Sequence, residues 1–210
     1  TPLFMAPPVY TKLYVLTGDK KYIKFMNREY KATYDHLFDK EENLSIATGG
    51  ILTNARPTAG RFSGDAATAG CRRAGGDIER TACKGQEPEV LRRTVREALY
   101  RVAKLQNADG FWHASLLDPA SYPSPETSCT TFIVYALAYG INEGLLDKDT
   151  FLPILVKGWN AQVSAVDADG KLGYVQPIGA DPKKVTRNMT EVYGVGAFLM
   201  GGCEIYKMAR

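Results

Sequence analysis

Residues Asn107–Asn142, NADGFWHASLLDPASYPSPETSCTTFIVYALAYGIN, run from a long polar loop straight into a helix that is apolar on every side. A helix with no polar face has to be buried all round. The loop ahead of it, about twenty residues with Pro119, Pro123 and Pro125, exceeds the usual connection in a compact domain, and such loops are functional or disordered. The reading here is a functional loop.

The arrangement recurs further along. Asp167-Ala-Asp-Gly170, the counterpart of Asn107-Ala-Asp-Gly110, opens a second long loop through Pro177 and Pro182 that ends at Thr190 and feeds a glycine-rich apolar helix, Glu191 to Tyr206. Amphipathic helices lie between the apolar ones. Tyr22, Met26, Tyr30 and Leu37 share one stripe of 20–37, Phe151, Leu155, Trp159 and Val166 share one stripe of 148–166, and Val95, Leu99, Val102 and Leu105 mark a third. Thr17-Gly-Asp19 and Asn142-Glu-Gly144 supply short turns. The pattern is a repeat of helical hairpins, and a ring of them, apolar helices inside and amphipathic ones outside, buries each helix as its composition demands. All the long loops then fall on one face, which is where a site is expected. The inner helices start at that face, so their N–H groups and positive dipole ends are expected to converge there and favour an anionic ligand such as a sugar acid.

Composition excludes several classes. The chain of 210 residues carries 45% hydrophobic residues, enough for one sizeable core, and has no apolar run long enough to span a bilayer. No signal peptide is visible, and the chain starts inside an element, so the expectation is a cytoplasmic protein, without a membrane partner, whose true N-terminus lies upstream of Thr1. Cys71, Cys83, Cys129 and Cys203 show no CxxC spacing and the two histidines, His36 and His113, are far apart, which argues against a structural metal. The net charge of +3 resides entirely in 45–93, where eight basic residues face five acidic ones. An excess confined to one segment without a patterned basic face argues against nucleic-acid binding.

That segment is compositionally foreign to the rest. From Ser45 to Arg93 the chain is rich in Gly, Ala, Thr and Arg, lacks Trp, Tyr and Met, and shows no helical or strand periodicity until about Glu89. Read alone, it is a disordered or irregular insertion within a single domain spanning 1–210.

The flanks, however, carry a dense set of motifs: LFMAPPVYTKLYVLTGDKKYIKFM (Leu3 to Met26), DGFWHASLLDPASYPSPETS (Asp109 to Ser128), YALAYGINEGLLD (Tyr135 to Asp147), LGYVQPIGADPKKV (Leu172 to Val185) and TEVYGVGAFLMGG (Thr190 to Gly202). On these motifs the chain resembles the unsaturated glucuronyl and rhamnogalacturonyl hydrolases, glycoside hydrolase families 88 and 105. The resemblance implies an all-α fold, an (α/α)6 toroid that is incomplete here, because the family's length is well above this chain's and an N-terminal part of the barrel is expected to be absent. It implies a glycosidase that acts on oligosaccharides ending in an unsaturated uronic acid, released by polysaccharide lyases from polymers such as pectin. The C4=C5 double bond is hydrated without the two-carboxylate displacement of ordinary glycosidases and without a metal or organic cofactor.

The resemblance also exposes two defects. The family's catalytic Asp stands two residues before the Leu of the LFM motif, a position that is Thr1 here, and a threonine hydroxyl cannot serve as the carboxylic acid. The family's RGNGW motif and the apolar inner helix after it are missing as written. Yet Asp65-Ala-Ala-Thr-Ala-Gly70, read in a shifted frame, can encode RGNGW, and Ala74 to Thr81 in the other shifted frame can encode the apolar LAAILNAL. The expectation is therefore that 45 to about 93 is frameshifted, and that the chain is inactive as given with its catalytic residue unassigned.

Candidate substrate-lining residues each carry a plainer alternative. Met5 faces the funnel or fills the core. Trp112 stacks on a sugar or packs a helix against its loop. His113 donates to a substrate oxygen or bonds locally. Glu126, Thr127 and Ser128 touch sugar hydroxyls or cap the inner helix, and Thr190 and Glu191 repeat that choice at the last helix. The rival to the enzyme is a non-catalytic helical-repeat module that binds carbohydrate or protein.

Overall fold

The computed structural model describes residues 2–39, 41, 44–45, 88–178 and 181–210. Helices α1 (Pro2–Thr17) and α2 (Lys20–Leu37) form a hairpin. Its turn is set by Gly18, at φ +69°, a conformation that costs a glycine little and other residues much. The N–H of Gly18 closes α1 onto Tyr14 O at 2.8 Å, and Asp19 Oδ1 receives the Lys21 N–H at 2.9 Å to open α2. A minimal antiparallel pair, β1 (Phe38–Asp39) and β2 (Leu44–Ser45), follows in the register Phe38 to Ser45 and Asp39 to Leu44. Then come α3 (Pro88–Ala103), α4 (Thr127–Asn142), α5 (Lys148–Ser164) and α6 (Val192–Met208). The anomalous stretch lies outside the described residues over 46–87.

Helix α4 is the axis of the core. Every residue from Thr127 to Gly140 is buried, as its all-round apolar sequence requires. The outer helix α5 runs antiparallel to it, and α6 lies along its other side. Close approach of α5 depends on Gly158: a Cβ there would stand 2.8 Å from Trp112 Cζ3 and 3.0 Å from Val134 Cγ2. Amphipathic α3 adds Leu99 and Val102 to the same core, which also takes in Leu44 of β2. Asp147 caps α5, its Oδ2 receiving Thr150 N at 2.8 Å.

Helices α4 and α6 run parallel. Near their C-terminal ends the Asn142 side-chain amide donates to Glu204 O at 3.0 Å and to Glu204 Oε2 at 2.9 Å, while Lys207 reaches Glu204 Oε1 at 3.2 Å. Those partners let a carboxylate sit 2% exposed in the core.

Helix α6 is not buried on every side as α4 is, as expected of an inner helix in a ring that lacks hairpins. It is as apolar as α4, yet Val192, Leu199 and Tyr206 are 86%, 60% and 61% exposed, with Val195 and Cys203 beside them on the same stripe. No described element packs against that face. A contiguous apolar stripe in water drives association, so the 210-residue chain is expected to elute as oligomers in size-exclusion chromatography with light scattering. A Leu199→Lys/Val192→Lys double variant should shift it toward monomer, and a sharp monomer peak from the unmodified chain at high concentration would contradict this.

Candidate functional site

Both long loops open with the same turn. Gly110 N–H donates to Asn107 O at 3.0 Å and Asn107 N–H to Phe111 O at 3.0 Å; Gly170 to Asp167 and Asp167 to Lys171 repeat these bonds at 3.0 Å each. Gly110 and Gly170 take φ values of +89° and +82°. The repeated NADG and DADG strings are thus a repeated backbone motif.

The loops converge on the N-terminus of α4 through Glu126, which is 3% exposed. Its Oε1 accepts the Ser128 hydroxyl at 2.7 Å and the N–H groups of Ser128 and Gln176 at 3.2 Å each, and its Oε2 accepts Cys129 N–H at 2.6 Å. One carboxylate caps the inner helix and holds the second loop to it. Burial pushes its carboxyl above the ordinary range, with these hydrogen bonds opposing the shift. The seam continues as Thr127 N–H donates to Tyr174 O at 2.8 Å and the Tyr193 hydroxyl donates to Gln176 O. Burial raises the Tyr193 phenol, and the Ser128 hydroxyl beside it opposes that.

Backbone strain marks the same segment. Tyr174 sits at φ +56°, the left-handed region that non-glycine residues seldom occupy. At Gly173 a Cβ would meet Arg187 O at 2.2 Å. The second loop is therefore pressed against its own returning segment where it reaches Glu126.

The residues picked out in the sequence fall in several places. Glu126, Thr127 and Ser128 do come together at the mouth of α4, but the cap is Glu126 itself, and Thr127 and Ser128 are the first helical residues. Free N–H groups were expected there to favour an anion; those of Ser128 and Cys129 are already taken by the protein's own carboxylate. At α6, Glu191 is the N-cap residue without a side-chain bond to the helix, and Thr190 is exposed. His113 is 8% exposed and staples its loop, Nδ1 lying 3.0 Å from Tyr122 O and Nε2 3.0 Å from Asp109 Oδ2. Both partners are acceptors, so a doubly protonated ring donates to both and a neutral ring to one. Trp112 has no exposed surface, and its indole N–H donates to Val102 O at 2.8 Å, so its ring is core and offers no face for a sugar. Met5 lies on α1, its side chain outside the described residues. Sequence reasoning missed Tyr174, Gln176 and Tyr193, whose only signal was proximity to the second long loop and last helix.

Among the described residues no group of His, Cys, Asp and Glu could hold a metal ion, and no helix is long and apolar enough to cross a membrane.

The family model for Glycosyl Hydrolase Family 88 matches residues 2–48 and 82–209. The chain belongs to that family. An unsaturated 3S-rhamnoglycuronyl hydrolase of Formosa agariphila is 34% identical over 213 residues, covering 98% of this chain and 56% of the relative. Among solved structures, one described as a polysaccharide lyase superposes with a TM-score of 0.87 at 31% identity, over 99% of this chain and 60% of that one. A family 88 glycosyl hydrolase from Bacteroides vulgatus gives 0.84 at 29%, over 98% of this chain and 61% of that one. The hairpins above thus share the helical toroid fold of family 88. The chain spans about half the length of the curated relatives it matches.

Proposed function

We propose that this chain derives from an unsaturated uronyl hydrolase, which takes an oligosaccharide ending in a Δ4,5-unsaturated uronic acid at the loop face. A carboxylic acid protonates C4, water adds at C5, and the resulting hemiketal opens to release the neighbouring sugar. Bonds balance: one water is consumed, the double bond is lost and the glycosidic link breaks. The observation that carries this reading is the family match along both flanks, with a curated relative whose name specifies a rhamnoglycuronyl substrate. That name favours a rhamnose-linked over another leaving sugar.

The described residues at the loop face supply architecture more than acid catalysis. Glu126 is sealed and engaged with four donors, and the D-x-L-F-M pattern that the resemblance implies would put the family's acid at Thr1. The chain as given is therefore expected to be inactive. The frameshift proposal for 45 to about 93 is supported by the break in the family match between 48 and 82, inside that segment. Incubation with an unsaturated rhamnoglycuronyl oligosaccharide, followed by loss of the enol-ether ultraviolet absorbance, tests both parts. The chain as given should leave the absorbance unchanged, and the product of a full-length gene with the frame over 45 to about 93 corrected and an Asp restored at the Thr1 position should abolish it. Turnover by the former refutes the inactivity, and none by the latter refutes the activity assigned to the parent.

A further inference from the structure

The exposed stripe of α6 is symmetric about its own midpoint. Val192, Val195, Leu199, Cys203 and Tyr206 follow one another at intervals of three, four, four and three residues, an order of spacings that reads the same from either end. All five residues are exposed. The mean interval is that of the heptad repeat, with which one helix keeps a single apolar seam against another.

Two copies of a palindromic seam match when they run antiparallel about a two-fold axis through Leu199. Val192 then meets Tyr206 of the second copy, Val195 meets Cys203 of the second copy, and the two Leu199 side chains meet on the axis. Gly196 leaves room beside Leu199, since a Cβ there would touch nothing. Charge selects the same direction. Glu191 opens the helix and makes no side-chain bond to it, while Lys207 and Arg210 stand at its other end. An antiparallel pair brings each Glu191 to the same end as Lys207 and Arg210 of the other copy and opposes the two helix dipoles, whereas a parallel pair sets like beside like.

We propose that the exposed face of α6 docks the same face of a second copy of this chain, antiparallel and centred on Leu199, to form a closed dimer. Each copy spends its stripe on the other, so association stops at two. The second copy supplies the neighbour that an inner helix of an incomplete ring requires. The pairing needs no substrate and is independent of the hydrolase reading.

Cysteine cross-linking tests the register. In a Cys71→Ser/Cys83→Ser background, the exposed Cys203 remains with the buried Cys129. In the antiparallel pair the two Cys203 residues stand about 12 Å apart along the helix axis, beyond the roughly 7 Å that a disulfide spans, so mild oxidation should leave this chain at its own mass on a non-reducing gel. Adding Val195→Cys places a thiol opposite Cys203 of the second copy and should move the band to twice the chain mass, with peptide mapping finding a 195–203 bond. The same separation along one helix forbids that bond within a single chain. Leu199→Lys, added to the cross-linking variant, should abolish the shifted band. Cross-linking through Cys203 alone means a parallel pair, a dimer in light scattering without the 195–203 bond means another face, a cross-link that survives Leu199→Lys means chance collision, and a monomer at every concentration means no pair; each of these overturns the proposal.

Discussion

Trp112→Ala is expected to lower folding stability by about 3–5 kcal/mol. The indole has no solvent contact, fills the space that Gly158 leaves between α4 and α5, and donates to Val102 O, which joins the first long loop to the end of α3. Alanine leaves a cavity and removes this tie, Val102 O keeping only the Leu105 N–H at 2.9 Å. A domain holds only about 5–15 kcal/mol in total, so the variant should be substantially unfolded at moderate temperature. A tryptophan held at a surface as a sugar platform would instead change stability by at most about 0.5 kcal/mol. Urea unfolding separates the two cases, and a loss below about 1 kcal/mol would contradict the core role.

Glu126→Ala is the second large effect, about 2–4 kcal/mol, because it removes a helix cap and leaves the N–H groups of Ser128, Cys129 and Gln176 unmet in a buried layer. The second loop loses its tie to α4 in the same step. Exchange of the Gln176 amide with deuterium should accelerate in the variant beyond what global destabilisation explains, and an unchanged rate relative to neighbours would contradict the tie. The glutamine variant isolates the charge. Burial raises the Glu126 carboxyl, so the folded chain holds that proton more tightly than the unfolded chain does. Its stabilising contribution is full below the ordinary Glu range and is lost as pH rises through the raised value. Wild type should therefore gain stability relative to Glu126→Gln as pH falls from neutral into the mildly acidic range. An opposite slope would mean that the hydrogen bonds outweigh burial.

The hairpins were legible in the sequence wherever periodicity and turn chemistry agreed. The spacing of Tyr22 and Met26 with the Thr17-Gly-Asp19 turn marks α2 over the residues it occupies, and the unbroken apolar run after Ser128 marks α4 as buried. The paired NADG and DADG strings mark two turns of one geometry. Apolar composition could not distinguish α4 from α6, since burial depends on which neighbours are present as well as on the helix. Nor could it show that Glu126 caps α4 in place of Thr127 or Ser128, because any of the three can accept from a free N–H and the choice is settled by the second loop closing over the carboxylate. The burial of Gln162 on α5 was invisible for a related reason: on an amphipathic helix a glutamine reads as solvent-facing, and only packing places it inside.

The coding DNA from Ser45 to Thr94 tests the central reading most directly. If 45 to about 93 is a shifted reading of a family 88 gene, the alternative frames across it run without stops, encode RGNGW in the first part and an apolar helix in the second, and rejoin the present frame near Thr94. Stop codons in those frames, or frames without that motif, would contradict the frameshift and leave 45–93 as genuine sequence in a chain that belongs to the family through its flanks.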